Sequence, residues 1–304
     1  MKKPGPFFSL LFVSLISCSP TTKNGSEARL FESEAFKKYW YTGKAEINSY
    51  TLWQSRYGEM REGKAVLIFV TEDFSKRKQV KLDDPANAGN DKVGVLKMNF
   101  TKNFVTGIYP YSLMLSVFTP VDRKQYPNTT KVTMSSQEWC GQVFSQLNLT
   151  YKKYSFQSHS YFEKEGEENK PLKAVRLEDE LWNLVRLDPE NLPEGEIELI
   201  PGMFFSRLLH TGCTIEKASM KKEKVAADWH YTITLPAQNR SLSIQFQQAF
   251  PHKILGWEET FQERGKPVQT KAILDKTIVT DYWTKNKNEF LYLRDSLGLS
   301  RKNY

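Results

Sequence analysis

The sequence is poor in the residue types that most often carry chemistry: 304 residues hold three cysteines and four histidines. No two histidines stand in His-x-x-x-His or His-Glu-x-x-His spacing, so no metal site is expected. There is no Gly-x-Ser-x-Gly elbow, no glycine-rich phosphate loop and no Cys-x-x-Cys. Those absences remove the commonest hydrolase, nucleotide-binding and thiol-redox signatures and leave no cofactor implied. No apolar run reaches the ~20 residues that a spanning helix needs. The most apolar internal stretch, 108–121, contains Pro110 and Pro120. The formal charge is +8, but it is spread along the chain rather than gathered in a block. Nucleic acid is therefore not an expected partner.

What is present begins with a leader. Lys2 and Lys3 precede an apolar stretch over 7–16, and Leu15-Ile16-Ser17-Cys18 follows. Short basic start, short apolar core and small residue before the cut are the parts of an export signal. The last four residues resemble a bacterial lipobox, in which the thiol takes a diacylglycerol and the peptidase cuts before it. Residues 1–17 are read as signal peptide and Cys18 as the acylated, palmitate-bearing residue. Residues 18–33, rich in Ser, Thr, Asn and Gly, read as a flexible tether. Residues 34–304 read as a single β-rich periplasmic domain. Ser19 after the cysteine, and the lack of an acidic run behind it, direct the expectation to the periplasmic side of the outer membrane.

Beyond the tether the dominant period is two. Tyr231, Ile233 and Leu235 alternate with threonines; Leu242, Ile244 and Phe246 alternate with Ser243, Gln245 and Gln247. The turn 236–240 joins them as a hairpin. Similar runs cover 44–57, 64–74, 93–106, 131–139, 142–151, 154–162, 253–262 and 268–280. Helices are few. Leu177, Leu181, Leu184 and Val185 share a face with Asp179 and Glu180 at its start, and Pro189 ends the segment. A short helix is expected over 203–209. A C-terminal one is expected to carry Tyr282, Phe290, Leu293 and Leu297, with Asp281 as N-cap and Gly298 as stop. Segments 83–92 and 163–171 read as exposed polar loops. The expected fold is mainly β: a large curved antiparallel sheet of roughly ten strands, or an open barrel, with a C-terminal helix. Aromatic residues make up 13% of the chain, enough to furnish a large core or an apolar concave face.

Candidate sites follow from these patterns. Cys140 and Cys213 are the cysteines left after Cys18, a candidate disulfide pair in an oxidising compartment or two separate buried thiols. Trp53, Tyr57, Trp139, Phe156, Phe246 and Trp257 are candidates for a ligand-facing surface, with a filled core as the plainer reading. Glu138 and Glu258 each neighbour a tryptophan, which suits glycoside chemistry, with His159 as auxiliary. Strand alternation argues instead for Trp inside and Glu outside. The acidic segment 163–168 lacks calcium-loop spacing and reads as solvated.

Five stretches (QSRYGE at 54–59, KAVLIFVTEDF at 64–74, SSQEWCGQVF at 135–144, QSHSYF at 157–162, FPHKILGWEET at 250–260) resemble an uncharacterised family of Gram-negative lipoproteins. Some members carry the label "septum formation inhibitor". The Maf-type signature behind that label needs Ser-x-Ser-x-Arg-Arg, and this chain has no Arg-Arg. The resemblance implies no activity. The leading expectation is a membrane-anchored binding, carrier or envelope-scaffold protein whose concave β face meets a lipid, glycan or protein partner. The competing expectation is a cell-wall or glycan hydrolase using Glu138 or Glu258.

Overall fold

The computed structural model describes residues 33–299 without a break, and Met1, Gly5 and Phe31 besides. Cys18 lies outside the described residues. After a short helix α1 (Glu34–Trp40), the chain lays down β1 (Ala45–Arg56), β2 (Glu59–Ser75), β3 (Lys92–Thr106) and β4 (Tyr109–Pro120). Next come β5 (Lys131–Glu138), β6 (Gly141–Thr150), β7 (Lys153–Ser160), β8 (Glu167–Lys173) and the two-residue β9 (Arg176–Leu177). Helix α2 (Glu178–Leu187), β10 (Gly195–Ile200) and helix α3 (Met203–Leu209) follow. A final meander of β11 (Glu216–Val225), β12 (Asp228–Leu235), β13 (Arg240–Gln247), β14 (Ile254–Glu263) and β15 (Lys266–Thr280) leads to α4 (Tyr292–Ser296).

All fifteen strands belong to one sheet, ordered β8 back to β1 and then β15 down to β9. Only the β9–β10 pair is parallel. The order puts β8 and β9 at opposite edges, yet two residues, Ala174 and Val175, connect them. Three backbone steps reach at most about 11 Å. The sheet must therefore curl until its edges nearly meet. Lys173 Nζ on one edge lies 2.5 Å from Glu198 Oε2 on β10, next to the other. The expected curved, open-barrel sheet is present, with more strands than expected.

Fifteen strands spaced by about 4.8 Å and wound into a round section enclose about 23 Å between backbones, whereas two side-chain layers fill only about 10 Å. The remaining width is about one helix diameter, ~10–12 Å. Helix α2 occupies it: all ten of its residues are buried, polar ones included. Asn183 Nδ2 donates to the Leu96 carbonyl at 3.0 Å and to Thr119 Oγ1 at 2.9 Å. Trp182 packs edge-on against Phe100 and Trp257, with ring centres 5.2 and 5.3 Å away.

Arg186, in the last turn of α2, forks onto both carboxylate oxygens of Glu46 on β1, each at 2.7 Å, and donates Nε to the Pro251 carbonyl at 2.9 Å. Its guanidinium lies 4.6 Å from the centre of the Phe69 ring. Desolvation opposes the charge on Glu46, but Arg186 and the hydroxyl of Tyr39 outweigh it and hold the carboxyl down at about 2. At the other end, Glu178 receives a bidentate fork from Arg240 of β13, and Glu180 is met by Arg176 at 3.2 Å and Thr129 Oγ1 at 2.6 Å. Acids at the start and a cation at the end also suit the helix dipole.

Several expectations need correction. Within the 108–121 stretch lies β4, absent from the expected runs; its inward Tyr111, Leu113, Leu115 and Val117 alternate with Ser112, Met114, Ser116 and Phe118, and both prolines sit near its ends, where a lost ladder donor costs least. The expected loop 163–171 contains edge strand β8, whose mixed polar faces left no pattern to read. The expected C-terminal helix is broken into two 3-10 turns and the five-residue α4. Gly298, at φ +64°, does terminate it. Leu297 joins Ala45, Ile47 and Val70 in a cluster separate from the interior core, so this tail covers part of the outer face.

Removing one partner of a fully desolvated ion pair leaves the other charged and buried. Arg186→Ala is expected to lower unfolding stability by about 3–5 kcal/mol in urea titrations. Arg186→Met combined with Glu46→Gln is expected to recover most of that loss; a double variant no better than the single would show that the pair is not what holds the helix.

Candidate functional site

With α2 inside, little of the concave face remains open. One interior cavity lies at the start of α2, between Lys102, Glu178, Asp179, Trp257, Arg240 and Glu259. Its volume is about 30 Å³, the share of roughly one water. Three carboxylates there face two cations. Arg240 is spent on Glu178 and on Glu259, which its Nε meets at 2.7 Å. Asp179 accepts only the Met203 N–H, at 3.1 Å. Burial, followed by the charge of Glu178, pushes the Asp179 carboxyl up to about 7. A proton on Asp179 leaves two anions against two cations. Burial lowers the affinity of Lys102 for its proton; its Nζ reaches Gln54 Oε1 at 3.3 Å and lies 5.5 Å from the Phe204 ring centre. This cavity is a sealed polar core around the helix start, too small for a ligand.

A second opening on the inner face lies between β5, β6, β7 and α3. It measures about 220 Å³. Inward-facing Met134, Val143 and Phe156 form an apolar wall, with Ser145 and Ser158 between them, hydroxyls 2.9 Å apart. Helix α3 roofs it with Met203, Ser206 and Arg207. The sequence MFFSRLL makes this short amphipathic turn because its apolar residues pack inward while Arg207 must reach polar partners. His210, at φ 56°, ends the helix in the left-handed region.

Segment 161–166 folds back over the end of α3. Glu165 accepts from Ser160 Oγ at 2.7 Å, meets Nδ1 of His210, and lies 3.5 Å from Arg207 Nη1. Arg207 Nη1 is also 3.2 Å from His210 Nδ1. The Arg207 side chain is only 3% exposed, and its guanidinium stacks 4.6 Å from the Phe162 ring centre. Among the described residues its Nε–H has no hydrogen-bond partner. Burial lowers its pKa, but a guanidinium stays charged in proteins. The result is a cleft with one apolar wall and one polar wall, the latter carrying buried Arg207 with Lys164, Glu165 and Glu168. Such a cleft favours a ligand with an apolar body and an anionic end.

Of the residues singled out from the sequence, Phe156 and Cys213 line this cleft, Trp257 lines the sealed cavity, and Phe246 is fully buried. The others lie elsewhere. Trp53 is half-buried between the inward Leu52 and Gln54; Tyr57 sits at the β1–β2 turn, its hydroxyl 2.8 Å from that of Tyr111. Trp139 is 68% exposed. It stands in a turn rather than a strand, so alternation does not apply, and the carboxylate of Glu138 caps the Cys140 N–H at 2.6 Å. Glu258 is exposed, 3.3 Å from Gln269 Nε2; the inward carboxylate is Glu259. His159 is exposed beside Glu167 at 3.6 Å. Five strands separate Glu138 on β5 from Glu258 on β14, so these two carboxylates do not share a site. Cys140 and Cys213 are both free, one exposed and one buried. Burial pushes the Cys213 thiol up to about 12, and the hydrogen bond to Glu138 raises that of Cys140, so neither is an activated nucleophile. Among the described residues no three His, Cys, Asp or Glu side chains are grouped as metal ligands.

Sequence reasoning missed Arg207, Glu165 and His210. The available signal was a lone arginine inside an apolar helical segment, where a structural role is the common explanation and the partner 42 residues away is invisible.

No family model matches the chain, and no curated protein matches it. Among solved structures, it is similar to a β-barrel-like protein of the domain of unknown function DUF1849 from Brucella abortus. The TM-score is 0.45 at 10% identity, over 78% of this chain and 98% of that one.

The interior predicts an unusual pH response. Asp179 binds a proton more tightly folded than unfolded, so its contribution to stability falls as pH rises from about 4 to about 7 and is level above that. Asp179→Asn is expected to flatten this decline in urea unfolding at pH 5 and 8, with the variant at least as stable as wild type at pH 8. A variant that keeps the decline would place the proton elsewhere.

Proposed function

We propose that the protein is a lipoprotein, held to the periplasmic side of the outer membrane through Cys18, whose barrel-like domain binds an anionic amphiphile of the lipid class in the cleft beneath α3. The observation that carries the reading is Arg207, a buried cation whose Nε–H has no partner among the described residues, on the wall of a cleft that joins apolar Met134, Val143 and Phe156 to a polar side holding Lys164, Glu165 and Glu168. At about 220 Å³ the cleft takes the charged end of such a molecule and its first carbons. The rest of the molecule would lie along the opening. A binding or carrier role of this kind needs no catalytic group, and it suits a domain tethered to a lipid surface. Glycans fit less well, because the cleft offers no exposed aromatic platform to stack a sugar ring.

The test uses the full-length protein and cis-parinaric acid, a fluorescent carboxylate with an acyl chain. Saturable binding is expected. Arg207→Gln is expected to weaken it about 10–100-fold, the worth of a charge-assisted hydrogen bond of about 1.5–3 kcal/mol. Ser145→Phe, which fills the cleft, is expected to abolish it while circular dichroism stays unchanged. Equal binding by wild type and Arg207→Gln would remove the cleft from consideration.

A further inference from the structure

The sheet topology gathers apolar side chains at one rim. Strands β1, β3, β5 and β7 run the same way, so the four turns that follow them share one end of the barrel. Neighbouring turns of this set are about 9.5 Å apart, two strand spacings. Three of them raise a large apolar residue into solvent: Ile108 at 81% exposure, Trp139 at 68% and Tyr161 at 69%. Isolated exposed apolar residues are ordinary, but these are linked. The Tyr109 and Trp139 rings are 6.4 Å apart, centre to centre. Tyr161 lies against Gly141, where an added Cβ would fall 2.6 Å from the ring. The ring of Phe162 then meets His210 at 5.3 Å, so the band runs to the mouth of the cleft.

We infer that this rim seats on the headgroup boundary of a lipid bilayer, with Ile108, Trp139 and Tyr161 entering it. Tryptophan and tyrosine are the side chains that favour this layer, where one part of the ring is apolar and another is wet. Their arrangement also fits a soft surface better than a folded partner: they stand on separate turn tips rather than forming one continuous flat patch. The adjoining β14–β15 turn exposes Arg264 and Lys266, which suit anionic headgroups, while Glu263 is occupied by the N–H groups of Tyr57 and Gly58 at 2.9 and 2.7 Å. Glu59 is engaged by Arg61, and Glu163 is the exposed acid of the 161–166 segment. Helix α1 lies at the opposite rim, because it leads directly into the start of β1. The 12 residues of β1 put about 40 Å between that rim and the apolar tips. Contact at the tips is therefore distinct from anchoring at the tether, and it does not depend on what the cleft binds.

The experiment is site-resolved fluorescence on the full-length protein. An environment-sensitive nitrobenzoxadiazole is attached to Cys140, beside Trp139, with the attachment site confirmed by peptide mass. Vesicles of phosphatidylethanolamine and phosphatidylglycerol are then added. The expected result is a blue shift with a several-fold rise in intensity. The same label at Tyr151→Cys on the far rim, in a Cys140→Ser background, is expected to stay unchanged. Ile108→Ser with Tyr161→Ser is expected to weaken vesicle binding about tenfold, since affinity follows buried apolar area. An unchanged Cys140 signal at saturating lipid would overturn the proposal. So would equal responses at both rims, which would mean tether-driven contact. A Cys140 response that requires a co-purifying protein, and not lipid, would overturn it as well.

Discussion

The fold depends on a helix enclosed in a sheet too wide to fill itself. Fifteen strands joined edge to edge by a two-residue link leave a lumen that strand side chains cannot close across. Helix α2 closes it, and because it lies wholly inside, every polar group it carries must be matched there. Glu178 finds Arg240, Glu180 finds Arg176 and Thr129, Asn183 finds strand carbonyls, and Arg186 finds Glu46. These contacts reach both arms of the sheet, so the helix acts as an internal strut as well as a filler. Ion pairs of this kind add little net stability over apolar packing, but they tolerate only one seating of the helix.

That strut decides where anything else can bind. It seals the centre of the barrel down to a space for about one water, and it leaves the β5–β7 wall uncovered because it contacts chiefly β3 and β4. Helix α3 and the 161–166 segment only partly cover this wall, which is why Arg207 lies buried yet under-satisfied beside an apolar surface. The same arm of the sheet carries the apolar turn tips. Cleft and rim thus lie on the same side of the molecule, at the end away from α1.

Much of this was legible in the sequence. Period-two runs located most strands, and the leucine spacing after Leu177 together with Pro189 located α2. The 203–209 segment matched α3. Phe156, Phe246 and Trp257 face inward as strand alternation requires. The failures have physical causes. β4 carries Met114 and Phe118 on its outer face, which blurs its alternation, and β8 is mostly polar on both faces, so its period is faint. Trp139 sits in the turn that follows Glu138 at the end of β5, outside the rule that would orient it, and along β14 the rule points Glu259 inward rather than Glu258. The matched charges are 140 residues apart for Glu46 and Arg186 and 62 for Glu178 and Arg240, pairings that only the curled sheet creates.

The most direct test of the account is hydrogen exchange at the amides of residues 178–187, followed by mass spectrometry on the full-length protein under native conditions. If α2 is the fixed strut, these amides exchange only through global unfolding, as slowly as those of the central strands β1 and β2. Exchange there orders of magnitude faster than in β1 and β2 would mean that the helix leaves the lumen in the native state. The barrel interior, and not the cleft beneath α3, would then be the space available to a ligand.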